Sequence, residues 1–99
     1  MYDAMKNIFE NLPPKFKKLN EKLDANQFAE LMRRLMSLRL RNKKLPQRIY
    51  INSSKKKIVV NNGMIKLADS LLTIMFEYFR KYGVQPDIIA QKIREEKAK

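Results

Sequence analysis

The longest regular pattern in the chain covers residues 61–82. At about 100° per residue, Met64, Ile65, Leu67, Ala68, Leu71, Leu72, Ile74, Met75, Phe76, Tyr78, Phe79 and Tyr82 fill one unbroken arc of roughly 200°. Lys66, Asp69, Ser70, Thr73, Glu77, Arg80 and Lys81 fill the remaining sector. This spacing predicts a helix over 62–82. A stripe only a little over ~100° wide is enough for an ordinary surface helix. The wider arc is therefore expected either at the centre of a small core or, in part, against a second copy of the chain. Asn61 and Asn62 are both N-cap types, Gly63 is expected to ease the turn into the helix, and Gly83 stands where helices end.

The other elements arrange themselves around that helix. Met5, Ile8, Phe9 and Leu12 recur at helical spacing over residues 2–12, and Pro13 and Pro14 stop the run. Pro14 suits the first position of a second helix whose apolar stripe is Phe16, Leu19 and Leu23. Lys15, Lys17, Lys18 and Lys22 cover its other sides, and Glu21 and Asp24 answer that charge locally. Asp24 and Gln27 have the spacing of a capping box for a third helix, which runs through Phe28, Leu31, Met32, Leu35 and Met36. Its opposite face carries Glu30, Arg33, Arg34 and Ser37. Leu38, Arg39, Leu40 and Arg41 then alternate with period two, which would drive Arg39 into the apolar face. The helix is thus expected to fray or stop between Ser37 and Lys43.

Beyond Pro46 the periodicity becomes that of β-structure. Residues 48–51 and 57–60 are alternating, β-branched runs joined by a polar connector, the pattern of a β-hairpin. Ile49, Ile51, Ile58 and Val60 form its inward set, and Tyr50 is read as a packing residue of the hairpin. A lone two-stranded hairpin is marginal in water, so the inward face is expected against the helices. After Gly83, Pro86 and Asp87 mark a last helix docked by Ile88, Ile89 and Ile93, with a frayed tail at 95–99. The predicted fold is mainly α with one β-hairpin, about five helices in a single domain spanning 1–99.

Composition removes several function classes. Cysteine and histidine are both absent, and with them disulfides, thiol nucleophiles, sulfur-ligated metals and the commonest general base. No apolar run approaches the ~20 residues of a membrane span. The chain is read as soluble, cytoplasmic or nucleoid-associated, and the Asn52-Ser53-Ser54 glycosylation pattern as having no compartment in which to be used.

Charge then changes the picture. Residues 1–30 are net neutral and residues 69–99 net +1, whereas residues 31–68 carry eleven Lys or Arg and no carboxylate, out of a net charge of +12. A surface selected only for solubility intersperses the two signs, because like charges held close repel one another on compaction. An acidic partner is the simplest reason to concentrate one sign, and nucleic acid is the commonest such partner. The candidate binding residues are Arg33, Arg34, Arg39, Arg41, Lys43, Lys44, Arg48, Lys55, Lys56 and Lys57. The arginines can fork onto phosphate oxygens, and the lysines act as mobile point charges. DNA is expected ahead of RNA, through duplex backbone contacts. The second expectation is an oligomeric adaptor whose basic face holds an acidic protein.

Catalysis requires titratable groups brought together, and here the carboxylates are spread along the helices. Neither glycine belongs to a phosphate-binding loop. Asp69 on one helix, followed by Gly83 and a further helix, resembles the end of the all-α nucleotide pyrophosphohydrolases of the MazG type. That resemblance implies a magnesium site, but position 66 is Lys where the family has glutamate, and the third helix has no E-x-x-E pattern. A degenerate, inactive relative is what it implies. The order of three helices, a basic-tipped hairpin and a long apolar helix resembles a winged helix-turn-helix protein with a dimerising final helix. Residues 55–64, from Lys55, Lys56 and Lys57 through Ile58, Val59 and Val60 to Met64, are similar to the second wing strand leading into that helix. The resemblance implies that the second and third helices form the helix-turn-helix, the third in the major groove, with Lys55 to Lys57 at the wing. The chain departs from the pattern in lacking an evident strand between the first two helices. It also has few Asn, Gln or Ser on the third helix to read base edges. The reading is of a non-enzymatic protein with no cofactor and no metal.

Overall fold

Proline sets the first boundary in the computed structural model, which describes residue 6, residues 8–52 and residues 56–83. Pro13 is extended, and Pro14 opens a short 3₁₀ turn, Pro14–Phe16, that passes directly into helix α1, Lys17–Lys22. The single helix expected from residue 14 is thus a 3₁₀ turn followed by an α-helix. Phe16, Leu19 and Leu23, its predicted stripe, are all buried.

Helix α2, Ala25–Leu40, begins at the expected capping box. The Gln27 backbone N–H donates to Asp24 Oδ1 at 2.8 Å, and the Asp24 N–H donates to Gln27 Oε1 at 3.0 Å. Two of the amides left unbonded at a helix start are thereby satisfied. The helix ends within the expected window. Asn42 adopts φ 55°, a left-handed conformation asparagine tolerates better than most residues. Its N–H reaches the Arg39 carbonyl at 3.1 Å, and the Lys43 N–H reaches the Leu38 carbonyl at 2.9 Å, the paired bonds of a Schellman ending.

Strands β1, Arg48–Ile51, and β2, Ile58–Asn61, form an antiparallel hairpin in which Ile49 faces Val60 and Ile51 faces Ile58. Ile49, Ile51 and Val60 are buried, and Ile58 is half-buried. Tyr50 and its partner Val59 point the other way, 63% and 54% exposed. Tyr50 therefore packs outside the core rather than in it, because period two carries the residue between two buried isoleucines to the opposite face.

Helix α3, Asn62–Tyr82, follows β2 without a loop. Asn61 supplies the cap, its Oδ1 accepting from the Met64 N–H at 3.0 Å, while the Asn62 side chain donates to the Pro46 carbonyl at 3.3 Å. Gly63 is not needed for the turn: positive φ among glycines belongs to Gly83 alone, and a Cβ at Gly63 would meet only ordinary contact. Gly83, at φ 78°, ends the helix with its N–H on the Phe79 carbonyl.

The arc of α3 is shared among the 3₁₀ turn, α1, α2 and both strands. Ile65, Ala68, Leu71, Leu72 and Met75 are buried at its centre, and Met64, Leu67, Ile74, Phe76, Tyr78 and Phe79 are half-buried on its shoulders and at its end. The described elements thus close on one core, mainly helical with one two-stranded hairpin. None of the described helices is long and apolar enough to cross a membrane. The expected final helix, the tail at 95–99, Lys55, and residues 2–5 and 7 of the expected first helix lie outside the described residues; residues 8–10 of that first helix are helical, and Ile8 and Leu12 are buried.

Candidate nucleic-acid interface

Helical geometry divides the arginines of α2. Arg34 and Arg41 are seven residues apart and so lie within about 20° of each other on one flank, while Arg39 lies roughly 150° round the helix on the other. Arg33 projects between the flanks and is exposed.

The flank holding Arg39 faces α3. Its Nε donates to Asp69 Oδ1 at 3.1 Å, and its Nη2 donates to the Asp69 carbonyl at 3.0 Å and to Thr73 Oγ1. The guanidinium also stands 5.4 Å from the centroid of the Phe76 ring. The helix does continue through the position that carries Arg39 toward the apolar face. It can do so because Asp69 and Thr73, one turn apart on α3, accept from the Nε and Nη2 donors of the fork. Arg39 is therefore committed to joining two helices.

The opposite flank faces the hairpin. Arg34, Ser37 and Leu38 from α2, Arg41 at its C-cap, Pro46 from the connecting loop, and Arg48, Ile49 and Tyr50 from β1 line an open depression of about 330 Å³. Three arginines separated by up to fourteen residues in sequence meet around it, and its lining includes no carboxylate. Arg34 does have one nearby: its Nη2 lies 3.3 Å from Glu30 Oε2, the i, i+4 spacing of a helical ion pair. The same Glu30 oxygen accepts from the Asn52 N–H at 3.4 Å, which ties the end of β1 to α2. A second tie comes from buried Gln27, whose Nε2 donates to the Lys56 carbonyl at 3.3 Å. The hairpin tip is thus held beside the start of α2, and Arg48 beside its end.

Lys43 and Lys44 are exposed just past the end of α2, where cations also complement the helix dipole. Lys56 and Lys57 are exposed at the hairpin tip. A second depression, about 300 Å³, lies beyond Tyr50 and is lined by Tyr50, Ile51, Asn52, Lys57, Ile58 and Val59. Tyr50 is the residue common to both hollows. The sequence signal for its outward position was the alternation itself, since a strand with Ile49 and Ile51 inside has Arg48 and Tyr50 outside.

Among the described residues no group of His, Cys, Asp or Glu is arranged to hold a metal ion. Comparison with family models, with curated proteins and with solved structures returned no match.

Proposed function

We propose that this protein is a small, non-enzymatic nucleic-acid-binding protein that grips phosphate backbone with the α2 and hairpin face. The observation that carries this reading is the meeting of Arg34, Arg41 and Arg48 around one depression with no acid in its lining. Guanidinium groups present planar, paired donors that match phosphate oxygens, and several of them aimed at one region compound the attraction. Arg33, Lys43, Lys44, Lys56 and Lys57 extend the cationic surface around that centre.

The order of α1, α2, the hairpin and α3 supports docking in the manner of a winged helix-turn-helix. In that arrangement α2 approaches the major groove and the hairpin tip touches backbone. The reading includes DNA as the preferred polymer and a homodimer built on the half-buried shoulder of α3, with Leu67 and Ile74 at the contact.

A salt-titrated binding assay tests the proposal. Neutralising about six phosphates should give a log-log slope of affinity against salt near −5. Affinity that does not respond to salt, or no binding at low ionic strength, would turn the basic face over to an acidic protein partner. A mass measurement in solution, run alongside, tests the dimer.

A further inference from the structure

Tyr50 stands exposed on the outer face of the hairpin as the ridge between two hollows, and cationic side chains border both of them. On one side lie Arg41 and Arg48, and on the other lies Lys57. The core gains nothing from this ring, since the residues buried on β1 are its neighbours Ile49 and Ile51. Its cross-strand partner, Val59, is itself more than half exposed. A large aromatic surface is thus left to solvent at the centre of the most cationic part of the molecule.

We infer that the strand bound on this face carries unpaired bases, and that one of them stacks on the Tyr50 ring while its flanking phosphates are held by Arg41 and Arg48 on one side and Lys57 on the other. The inference rests on the phosphate-binding reading above and replaces its duplex docking with a single-stranded ligand. In a duplex the flat faces of the bases are already covered by their neighbours, so a side chain on a rigid strand cannot reach one without unstacking it. In a single strand those faces are open, and stacking on an aromatic ring beside a basic groove is how such strands are bound without regard to sequence. The geometry here supplies both parts within one hairpin. Exposed Val59, cross-strand from the ring, gives the second hollow an apolar side, which suits a base, and the arginines line the other, which suits phosphate.

Three oligonucleotides of equal length separate the contributions: a single-stranded DNA, the same backbone made abasic, and the corresponding duplex. The abasic strand has the same phosphates and no bases, so it measures charge alone. The natural protein should bind the intact strand about tenfold more tightly than the abasic one, the effect of one stacked base. Tyr50→Thr keeps a β-favouring residue at this exposed position; it should remove that tenfold difference and leave abasic binding and the thermal transition unchanged. The chain has no tryptophan, so Tyr50→Trp provides a single reporter whose emission should be quenched by the intact strand and not by the abasic one. Equal affinity for intact, abasic and duplex forms, each falling with salt, would overturn the stacking inference and leave the phosphate-binding reading standing. Binding of none of the three would overturn both. Quenching by the abasic strand, or an intact-strand preference that survives Tyr50→Thr, would place the base contact elsewhere and defeat this inference too.

Discussion

The two flanks of α2 use the same residue type for opposite ends. On the α3 side, Arg39 meets a carboxylate, a carbonyl, a hydroxyl and a ring, and its Nε and Nη2 both donate to partners within the chain. On the hairpin side, Arg41 and Arg48 border an open hollow whose lining has no acid. The two are only a few residues apart in sequence, and nothing in the pattern of charges distinguishes them. What separates them is angular position on a helix, which decides whether an arginine meets Asp69 or solvent. A count of basic residues is therefore a poor guide to a binding face until each guanidinium has been followed to whatever it touches.

Removing the open flank carries the largest expected effect. Replacing Arg34, Arg41 and Arg48 together with alanine should lower affinity for nucleic acid by about a hundredfold near physiological salt and flatten the salt slope by about three. The urea midpoint should stay within the scatter expected of surface changes; a large loss of stability instead would mean these side chains build the fold. Arg39→Ala should do the reverse. Leaving Asp69 without its fork should cost about 1 to 2 kcal/mol, discounted for the partial exposure of both groups, while affinity moves by no more than about twofold. If binding fell as far as stability, the division between the flanks would not hold.

Two smaller changes sharpen the picture. Gln27→Ala removes one half of the capping box and the tie to the Lys56 carbonyl, and chemical denaturation should register a loss of about 1 kcal/mol. Hydrogen exchange should rise first at the hairpin tip, and protection there that matches the natural protein would show the tie to be dispensable. Glu30→Gln takes away the charge beside Arg34 and should raise affinity by about two- to fivefold, the range of a surface pair. An unchanged binding curve would indicate that Arg34 does not reach the ligand.

Local features were legible before any fold was known. The Asp24 and Gln27 box, the Asn61 cap, the glycine ending at 83 and the inward set of the hairpin all follow from neighbours two to four residues apart. The alternation that buries Ile49 and Ile51 also implied the outward turn of Tyr50, although a β-favouring aromatic reads first as packing. The stop of α2 could be bracketed only as a window, because a period-two run and an asparagine ending contend there, and the Schellman bonds place it after Leu40.

By itself, the order of residues determined most of the described elements, their apolar faces and the concentration of positive charge in the middle third of the chain. These are matters of spacing along a backbone whose helical and extended repeats are known in advance. Only the tertiary structure decided which arginine meets a carboxylate, that three others converge on one hollow, and that Glu30 and Gln27 hold the hairpin to α2. Those relations join residues up to 34 positions apart, and they depend on how helices and strands are rotated against one another, which no local repeat encodes.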